Sequence, residues 1–478
     1  MKQDRIDALQ AARARQRDDA RPDAVARVRA GGKLTARERL LALLDPDSEV
    51  EFGSIAAQTK DGEWIAEAGG VDFVGTIGGQ TVVASSTDYT DKGGGYGAGR
   101  LARLFALSLE HRWPIVFFVD GGGSRARHPR VGLGHVELSG PIGRYTLFDG
   151  MADLSGWVPT IAIVSGPAFA GHASLAGFSD FVIATGGSSI GMGGPPMVEA
   201  ALGKRLTPNE LAGVEMHERT GGIDLLVSNE HEAIDAAQRY LAFYRDEPTG
   251  EPSPVASHVA EFVPEEGPYD IGPVIEALVD ANSTFELRPA FARSVITALA
   301  RMGGRTVGVI ASQQLFDDGA IDPSAATKIG RFVELCDAYE YPILSLVDTP
   351  GCVLRWPAEN GSPPYAVVEP GVNRWHTRAL LAHHHRKVPL FSVRIRRGAG
   401  LGAAIMSGLS NGRSVPALWL AWPTAVIGEP DGFGAIYDHN AFDDVIVPAE
   451  TRERILRMLR HLPRRLDQPA KKHPIDTW

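Results

Sequence analysis

The stretch Trp113-Pro114-Ile115-Val116-Phe117-Phe118-Val119-Asp120-Gly121 returns later in the chain as Tyr341-Pro342-Ile343-Leu344-Ser345-Leu346-Val347-Asp348-Thr349. Each copy carries an almost unbroken apolar run between a proline and an acid, the pattern of a strand buried on both faces. Working outward, Gly78-Gly79-Gln80-Thr81-Val82 recurs as Gly303-Gly304-Arg305-Thr306-Val307. Val158-Pro159-Thr160-Ile161-Ala162-Ile163-Val164 recurs as Val388-Pro389-Leu390-Phe391-Ser392-Val393-Arg394. Three matches in one order, at an offset that hardly drifts from one pair to the next, predict two copies of one domain.

Both copies read alike. A hairpin-like pair of strands (71–87, 305–313) leads to a helix (98–111, 325–339), and then to the apolar strand ending in Asp120 or Asp348. A second helix (140–156, 373–386) precedes another strand, a glycine-rich turn and a further helix. Strands alternating with helices predict an α/β fold with covered sheets. Pro248, Pro252, Pro254, Pro264, Pro268 and Pro273 mark an extended linker over 248–274, dividing domains 1–247 and 275–478. Residues 1–50 read as a helical lead-in, in which Thr35 caps a helix and Glu38, at the third helical position, completes a capping box.

Composition narrows the function. The chain has 478 residues, 44% hydrophobic and 22% charged, as in globular proteins. Its 48 Lys and Arg against 58 Asp and Glu leave a net charge of −10, which argues against non-specific polyanion binding. Cys336 and Cys352 are too few for a zinc ribbon or a disulfide framework, and a reducing cytoplasm is expected. No export signal is visible at the N-terminus. Val158–Phe178 is long enough to span a bilayer, yet Gly166, Pro167, Gly171 and His172 predict a buried strand, a turn and a helix start.

Fifty-four glycines punctuate the apolar runs. Asp120-Gly121-Gly122-Gly123-Ser124-Arg125 follows a strand directly, so several backbone N–H groups can point into one cleft. Ser165-Gly166-Pro167-Ala168-Phe169-Ala170-Gly171-His172 opens a helix whose first amides add to that field. The matching places in the second copy are Asp348-Thr349-Pro350-Gly351-Cys352 and Arg396-Arg397-Gly398-Ala399-Gly400-Leu401-Gly402-Ala403. Such donors stabilise a developing oxyanion. Gly398, Gly400 and Gly402 form G-x-G-x-G rather than the dinucleotide G-x-G-x-x-G. Gly408-Leu409-Ser410-Asn411-Gly412 fits a hydrolase G-x-S-x-G with Asp431 and His439 downstream, but a helix start precedes it where an elbow needs a strand. His383-His384-His385 reads as favourable charge at a helix C-terminus rather than a metal site. His217-Glu218 and His231-Glu232 lack a zincin's second histidine. Arg125, Arg127, His128 and Arg130 form a local cationic cluster suited to the phosphates of an anionic ligand.

Taken with Gly32–Leu40, Thr207–Gly213 with His217, Arg331-Phe332-Val333, Cys336-Asp337-Ala338, Ala421-Trp422-Pro423-Thr424-Ala425, Asp443-Asp444-Val445-Ile446 and Lys471-Lys472-His473, the chain resembles the carboxyltransferase β subunits of biotin-dependent acyl-CoA carboxylases, of propionyl-CoA carboxylase type. The resemblance covers nearly everything after residue 30. It implies two tandem crotonase-like domains of the ββα spiral type, paired between subunits in a trimer of dimers. It implies carboxyl transfer from carboxybiotin, borne on a separate carrier, to the α-carbon of an acyl-CoA thioester such as propionyl- or acetyl-CoA, without a metal. The partners it implies are a biotin carboxylase and a biotin carrier α subunit.

Two oxyanions then need stabilising, one on the thioester and one on the biotin ureido ring, and backbone amides can serve both. The resemblance carries the enolate role to Gly122 and Gly123, and the ureido role to Leu401 and Gly402. It places acyl-CoA against Ser124, Arg125, Arg127, Pro167, Ala168 and Phe169, and biotin against Ala170, Gly171, Gly351 and Gly400. The family's usual Asp-Ser-Gly-Gly-Ala-Arg and Lys-Ala-Tyr-Gly-Gly-Ala-Tyr are altered here, as is the run over Cys352–Pro370, and a helical insert near Gly428–His439 is missing. A biotin-independent acyl-CoA decarboxylase or hydratase recruiting His172 or Glu199 is the competing enzyme reading. A non-catalytic subunit of such an assembly is the third.

Overall fold

The computed structural model describes residues 2–66, 69–91, 93–95, 98–122, 139–140, 143–144, 147–247, 250–253, 255–353, 365–408, 416–426, 442–463 and 473–477. The chain divides into two compact units, Met1–Ala242 and Phe243–Asp476.

In the first unit, α1 (Ala36–Leu43) begins at the expected capping box. Thr35 Oγ1 accepts from the Glu38 amide at 3.1 Å, and the Glu38 carboxylate accepts from the Thr35 amide at 2.9 Å. The sheet holds β1 (Val50–Phe52), β2 (Gly70–Ile77), β3 (Gln80–Thr87), β4 (Ile115–Gly121), β5 (Thr160–Phe169), β6 (Phe181–Thr185), β7 (Ser189–Gly191) and β8 (Leu225–Val227). Its order is β1-β2-β3-β4-β5-β6-β8, with β7 pairing on β5. β1 and β2 pair antiparallel, as do β2 and β3, and the rest run parallel. Helices α2 (Ala98–His111), α3 (Leu147–Leu154), α4 (Gly171–Phe178), α5 (Pro195–Leu202) and α6 (Glu230–Ala242) are among those that accompany it. Every residue of β4 is buried, as its sequence requires, in a core that includes Phe117, Val119, Val164 and Leu175.

The second unit repeats the plan. Its sheet runs in the order β9 (Phe285–Leu287), β10 (Val295–Met302), β11 (Arg305–Ser312), β12 (Ile343–Thr349), β13 (Leu390–Gly398), β14 (Leu418–Ala421) and β15 (Asp444–Val445). Helices α7 (Gly272–Leu278), α8 (Pro323–Ala338), α9 (Tyr365–His385), α10 (Gly400–Ser407) and α11 (Thr451–His461) accompany it. Registers coincide between the units. Val83 faces Ile115 as Gly308 faces Ile343, and β4 and β12 share a register shift at their last residues. Both hairpins close on a glycine pair with positive φ, Gly78-Gly79 and Gly303-Gly304, the geometry of a type I′ turn. Each turn's two amides are gripped by one carboxylate, Asp45 at 2.9 and 2.8 Å and Asp280 at 2.9 and 2.8 Å.

Several expectations change. The second hairpin begins at Val295 rather than 305. The helix expected over 140–156 starts at Leu147, because residues 139–140 and 143–144 first pair with each other. The helix expected from 373 starts at Tyr365. The proline-rich stretch is no extended linker: Val259, Tyr269, Ile271 and Val274 are buried in the second unit's core. Arg396 also binds the carbonyls of Pro264 and Gly267 at 3.1 and 3.0 Å, tying that stretch to the sheet.

His383 is a further correction. It lies in the last turn of α9, but it is fully buried, and desolvation, with Arg386 adding, lowers its pKa to about 3. It is therefore neutral and adds no charge to the helix end. Among the described residues, no helix is long and apolar enough to cross a membrane.

Candidate functional site

The central strand of each unit ends in the repeated aspartate. The Asp120 amide donates to Thr87 Oγ1 at 2.7 Å, and the Asp348 amide to Ser312 Oγ at 3.2 Å. Each carboxylate is buried against cations. Asp120 pairs with Lys33 Nζ at 2.8 Å and Arg39 Nη2 at 3.2 Å, and Asp348 with Arg396 Nε at 2.7 Å and Arg397 Nε at 3.3 Å. The Asp120 carboxylate lies so near β5 that a Cβ on Gly166 would overlap it. Asp348 is held through both oxygens and Asp120 through Oδ2, so these acids tie the strand ends to the cations around them.

Beside them, β5 and β13 turn into helices. Ala170, just before α4, has φ 52 and ψ −119, and Gly400, its counterpart in the second copy, has φ 51. A positive φ at alanine is strained by about 1–3 kcal/mol, and the fold holds it with the Ala170 amide donating to the Gly191 carbonyl at 3.1 Å. The chain reversal leads directly into each helix start. In α4 Ser174 N–H bonds the Ala170 carbonyl at 3.0 Å, so Gly171 and His172 precede that turn of the ladder. In α10 Ala403 N–H bonds the Ala399 carbonyl at 3.1 Å, so Gly400, Leu401 and Gly402 come before it. A helix offers such amides no intrahelical acceptor, and its dipole favours negative charge there. Gly171 and His172 correspond to Leu401 and Gly402, so the two units present the same backbone device.

The candidate residues fare differently. The Gly122 amide, expected to face a ligand, instead donates to the Gly93 carbonyl at 3.2 Å. Its counterpart is Pro350, which has no N–H at all. The donors common to both units are therefore at the helix starts, a place the glycine turns half concealed. Gly123, Ser124, Arg125, Arg127, His128 and Arg130 lie outside the described residues, as do Ser410, Asp431 and His439.

Pro167 is half-buried, whereas Ala168 and Phe169 are buried and can offer a ligand only backbone. Gly351 is also buried, its amide on Thr349 Oγ1 at 3.2 Å and its carbonyl taking the Ile321 amide at 2.9 Å. Gly402 leaves room for its backbone: a Cβ on Gly402 would sit 2.5 Å from the Gly351 carbonyl carbon. Gly400 has open space where a Cβ would stand and Leu401 is 42% exposed, whereas Gly402 is buried.

Neither side chain of the competing reading stands ready for acid–base work. His172 is buried and hydrogen-bonded to the Gly94 carbonyl at 2.9 Å, with its pKa lowered chiefly by desolvation. Glu199 is exposed on α5, a helix with no buried residue. Gly408 is the left-handed C-cap of α10, so a helix precedes G-x-S-x-G where a nucleophile elbow needs a strand. Among the described residues no group of three His, Cys, Asp or Glu is placed to hold a metal ion.

Residues 27–441 match the model of the carboxyl transferase domain family. The chain is 31% identical to the methylmalonyl-CoA carboxyltransferase 12S subunit of Propionibacterium freudenreichii, over 92% of this chain and 91% of that one. It is 29% identical to the biotin-dependent acetyl-/propionyl-coenzyme A carboxylase beta5 subunit of Mycobacterium tuberculosis, over 94% and 91%. Among solved structures, a hexameric transcarboxylase 12S crystal structure with methylmalonyl-coenzyme A and methylmalonic acid bound superposes with a TM-score of 0.79. That match has 30% identity and covers 94% of each chain.

Proposed function

The chain belongs to the carboxyl transferase domain family and carries its two-domain crotonase-like fold; from that premise we propose that it is the biotin-dependent carboxyltransferase subunit of a short-chain acyl-CoA carboxylase, acting as a homo-oligomer with a separate biotin carboxylase and carrier. The observation that carries the reading is the duplicated helix-start amide pair, one per unit, in a reaction that places negative charge on two oxygens. Carboxybiotin, when bound, supplies the carboxyl group and a ureido oxygen that takes up charge.

The protein's part is electrostatic. The amides of Gly171 and His172 at the start of α4 hold the thioester oxygen as the α-carbon becomes nucleophilic. The amides of Leu401 and Gly402 hold the ureido oxygen. Preorganised donors of this kind lower a barrier by about 3–4 kcal/mol each, and no side-chain base is needed if the α-proton passes to the ureido nitrogen that loses the carboxyl group. Proximity of the two substrates adds to this. Arg125 and Arg127 remain the residues proposed for the coenzyme phosphates, and Pro167 for the acyl-CoA wall.

The test is transfer of labelled carboxyl from a carboxylated biotin carrier to propionyl-CoA by the full chain. Labelled product that disappears when avidin sequesters the carrier supports the reading. Turnover of acyl-CoA without biotin replaces it with the decarboxylase or hydratase reading, and no turnover with an active carrier leaves a non-catalytic subunit.

A further inference from the structure

His172 does something that its counterpart cannot. Residue 402 is glycine, so the second unit has no side chain at this point. In the first unit the imidazole, 4% exposed, lies over the bare backbone of Gly121, where any Cβ would overlap the ring. Its Nε2–H donates to the Gly94 carbonyl at 2.9 Å, a tautomer assigned because a carbonyl can only accept. The same turn takes the Gly122 amide on the Gly93 carbonyl, and a Cβ on Gly94 would sit 2.5 Å from the Asp120 carbonyl oxygen. One ring thus joins three pieces: the start of α4, the Gly93-Gly94 turn and the exit of β4.

The second unit solves the same problem elsewhere. The counterpart turn, Asp318-Gly319, also approaches its strand end, with the Gly319 Cβ position 2.8 Å from the Asp348 carbonyl oxygen. There the turn is held by Arg397, whose Nη2 donates to Asp318 Oδ1 at 2.9 Å, and by Gln314, which binds both Arg397 and the Asp348 carbonyl. Asp318 itself sits at φ 56, where the first unit has Gly93. The clamp is polar and half-exposed in one unit, and a buried imidazole in the other.

We propose that His172 is a positioning residue for carboxyl transfer, its neutral imidazole fixing the Gly93-Gly94 turn against β4 and so aiming the α4 amides at the thioester oxygen. Burial keeps the ring neutral, against the pull of the Gly94 carbonyl and of Asp120. The charged groups around it are Asp120 on β4 and, through that carboxylate, Lys33 and Arg39. Protonation would put a second donor and a cation into this packed contact and disturb the aim.

The proposal rests on the carboxyltransferase reading, and the test separates the two. Wild type, His172→Gln and His172→Ala are compared as full chains, with thermal melts to confirm folding. With a carboxylated biotin carrier and propionyl-CoA, His172→Ala is expected to lower kcat about 10- to 100-fold, with KM for propionyl-CoA within about twofold. The glutamine carboxamide can donate to the same carbonyl, so His172→Gln is expected to recover about tenfold of that loss and to lack the wild type's acid limb, since it does not titrate. Equal losses in both variants, no loss in either, or a change confined to KM overturns the proposal. If wild type itself transfers no carboxyl group, the functional reading fails. Hydrogen exchange over 93–95 and 170–175 then decides the positioning role alone: faster exchange in His172→Ala than in His172→Gln sustains it, and equal exchange overturns it.

Discussion

Gly402→Ala is the sharpest perturbation of the second unit's amide pair. Its Cβ would sit 2.5, 2.7 and 2.8 Å from the carbonyl carbon, carbonyl oxygen and Cα of Gly351, all backbone atoms that cannot swing aside. Ordinary contact needs about 3.4 Å or more, so the start of α10 must move by about 1 Å. Displacing a preorganised donor that far is expected to slow carboxyl transfer about 10²- to 10³-fold, or about 3–4 kcal/mol in barrier. Overpacking itself destabilises by about 1–3 kcal/mol, so a control is needed. Gly308→Ala supplies it: on β11, its Cβ would overlap Cys336 Sγ and so imposes comparable strain in the same unit. The assay is transfer per folded molecule, with the folded fraction read from circular dichroism. Gly402→Ala losing rate while Gly308→Ala loses only stability supports the reasoning. Equal rates for both refute it.

Acid should weaken the fold through His383. Its folded pKa of about 3 lies below the unfolded value of about 6.5, so the unfolded chain binds the proton first and stability is lost as pH falls through that window. The loss is about 1.4 kcal/mol per pH unit, or about 2 kcal/mol at pH 5, and His383→Leu should flatten the slope of urea midpoint against pH. His473 acts oppositely: its hydrogen bond to Asp337 raises its pKa, so its contribution is full below the unfolded value and fades as pH rises through the folded one. His473→Ala should therefore destabilise at pH 6 and leave stability unchanged at pH 9, by the same midpoints. Arg396→Ala removes the guanidinium from buried Asp348 and frees the carbonyls of Pro264 and Gly267, for an expected loss of about 3–5 kcal/mol in denaturant unfolding.

The duplication is legible because buried parallel strands admit few residue types, so Ile115–Val119 and Ile343–Val347 stay alike. The Asp45 and Asp280 turn clamps are not, because their separation falls outside the offset of the other repeats. Their surroundings, Asp45-Pro46-Asp47-Ser48 and Asp280-Ala281-Asn282-Ser283, share only an acid and a serine. Gly122 misleads for a different reason. Its acceptor, the Gly93 carbonyl, lies in a turn before α2, and nothing local to Asp120–Arg125 reveals that contact. Pro350 is the available signal, since a proline at the repeated position cannot donate. The strain at Ala170 is likewise silent in an alanine, though its alignment with Gly400 marks a position where positive φ is needed. His383 misleads because a helix C-terminus is usually wet, whereas its ring is buried, with Nδ1 3.2 Å from where a Cβ on Gly408 would stand.

Backbone donors can be removed without touching a side chain. Replacing Leu401 by its α-hydroxy acid analogue exchanges that single N–H for an ester oxygen and leaves the leucyl group in place. Carboxyl transfer from a carboxylated biotin carrier is expected to fall about 10²- to 10³-fold with the melt little changed. A rate equal to that of the native amide would contradict the assignment of the α10 amides as the ureido-oxygen site.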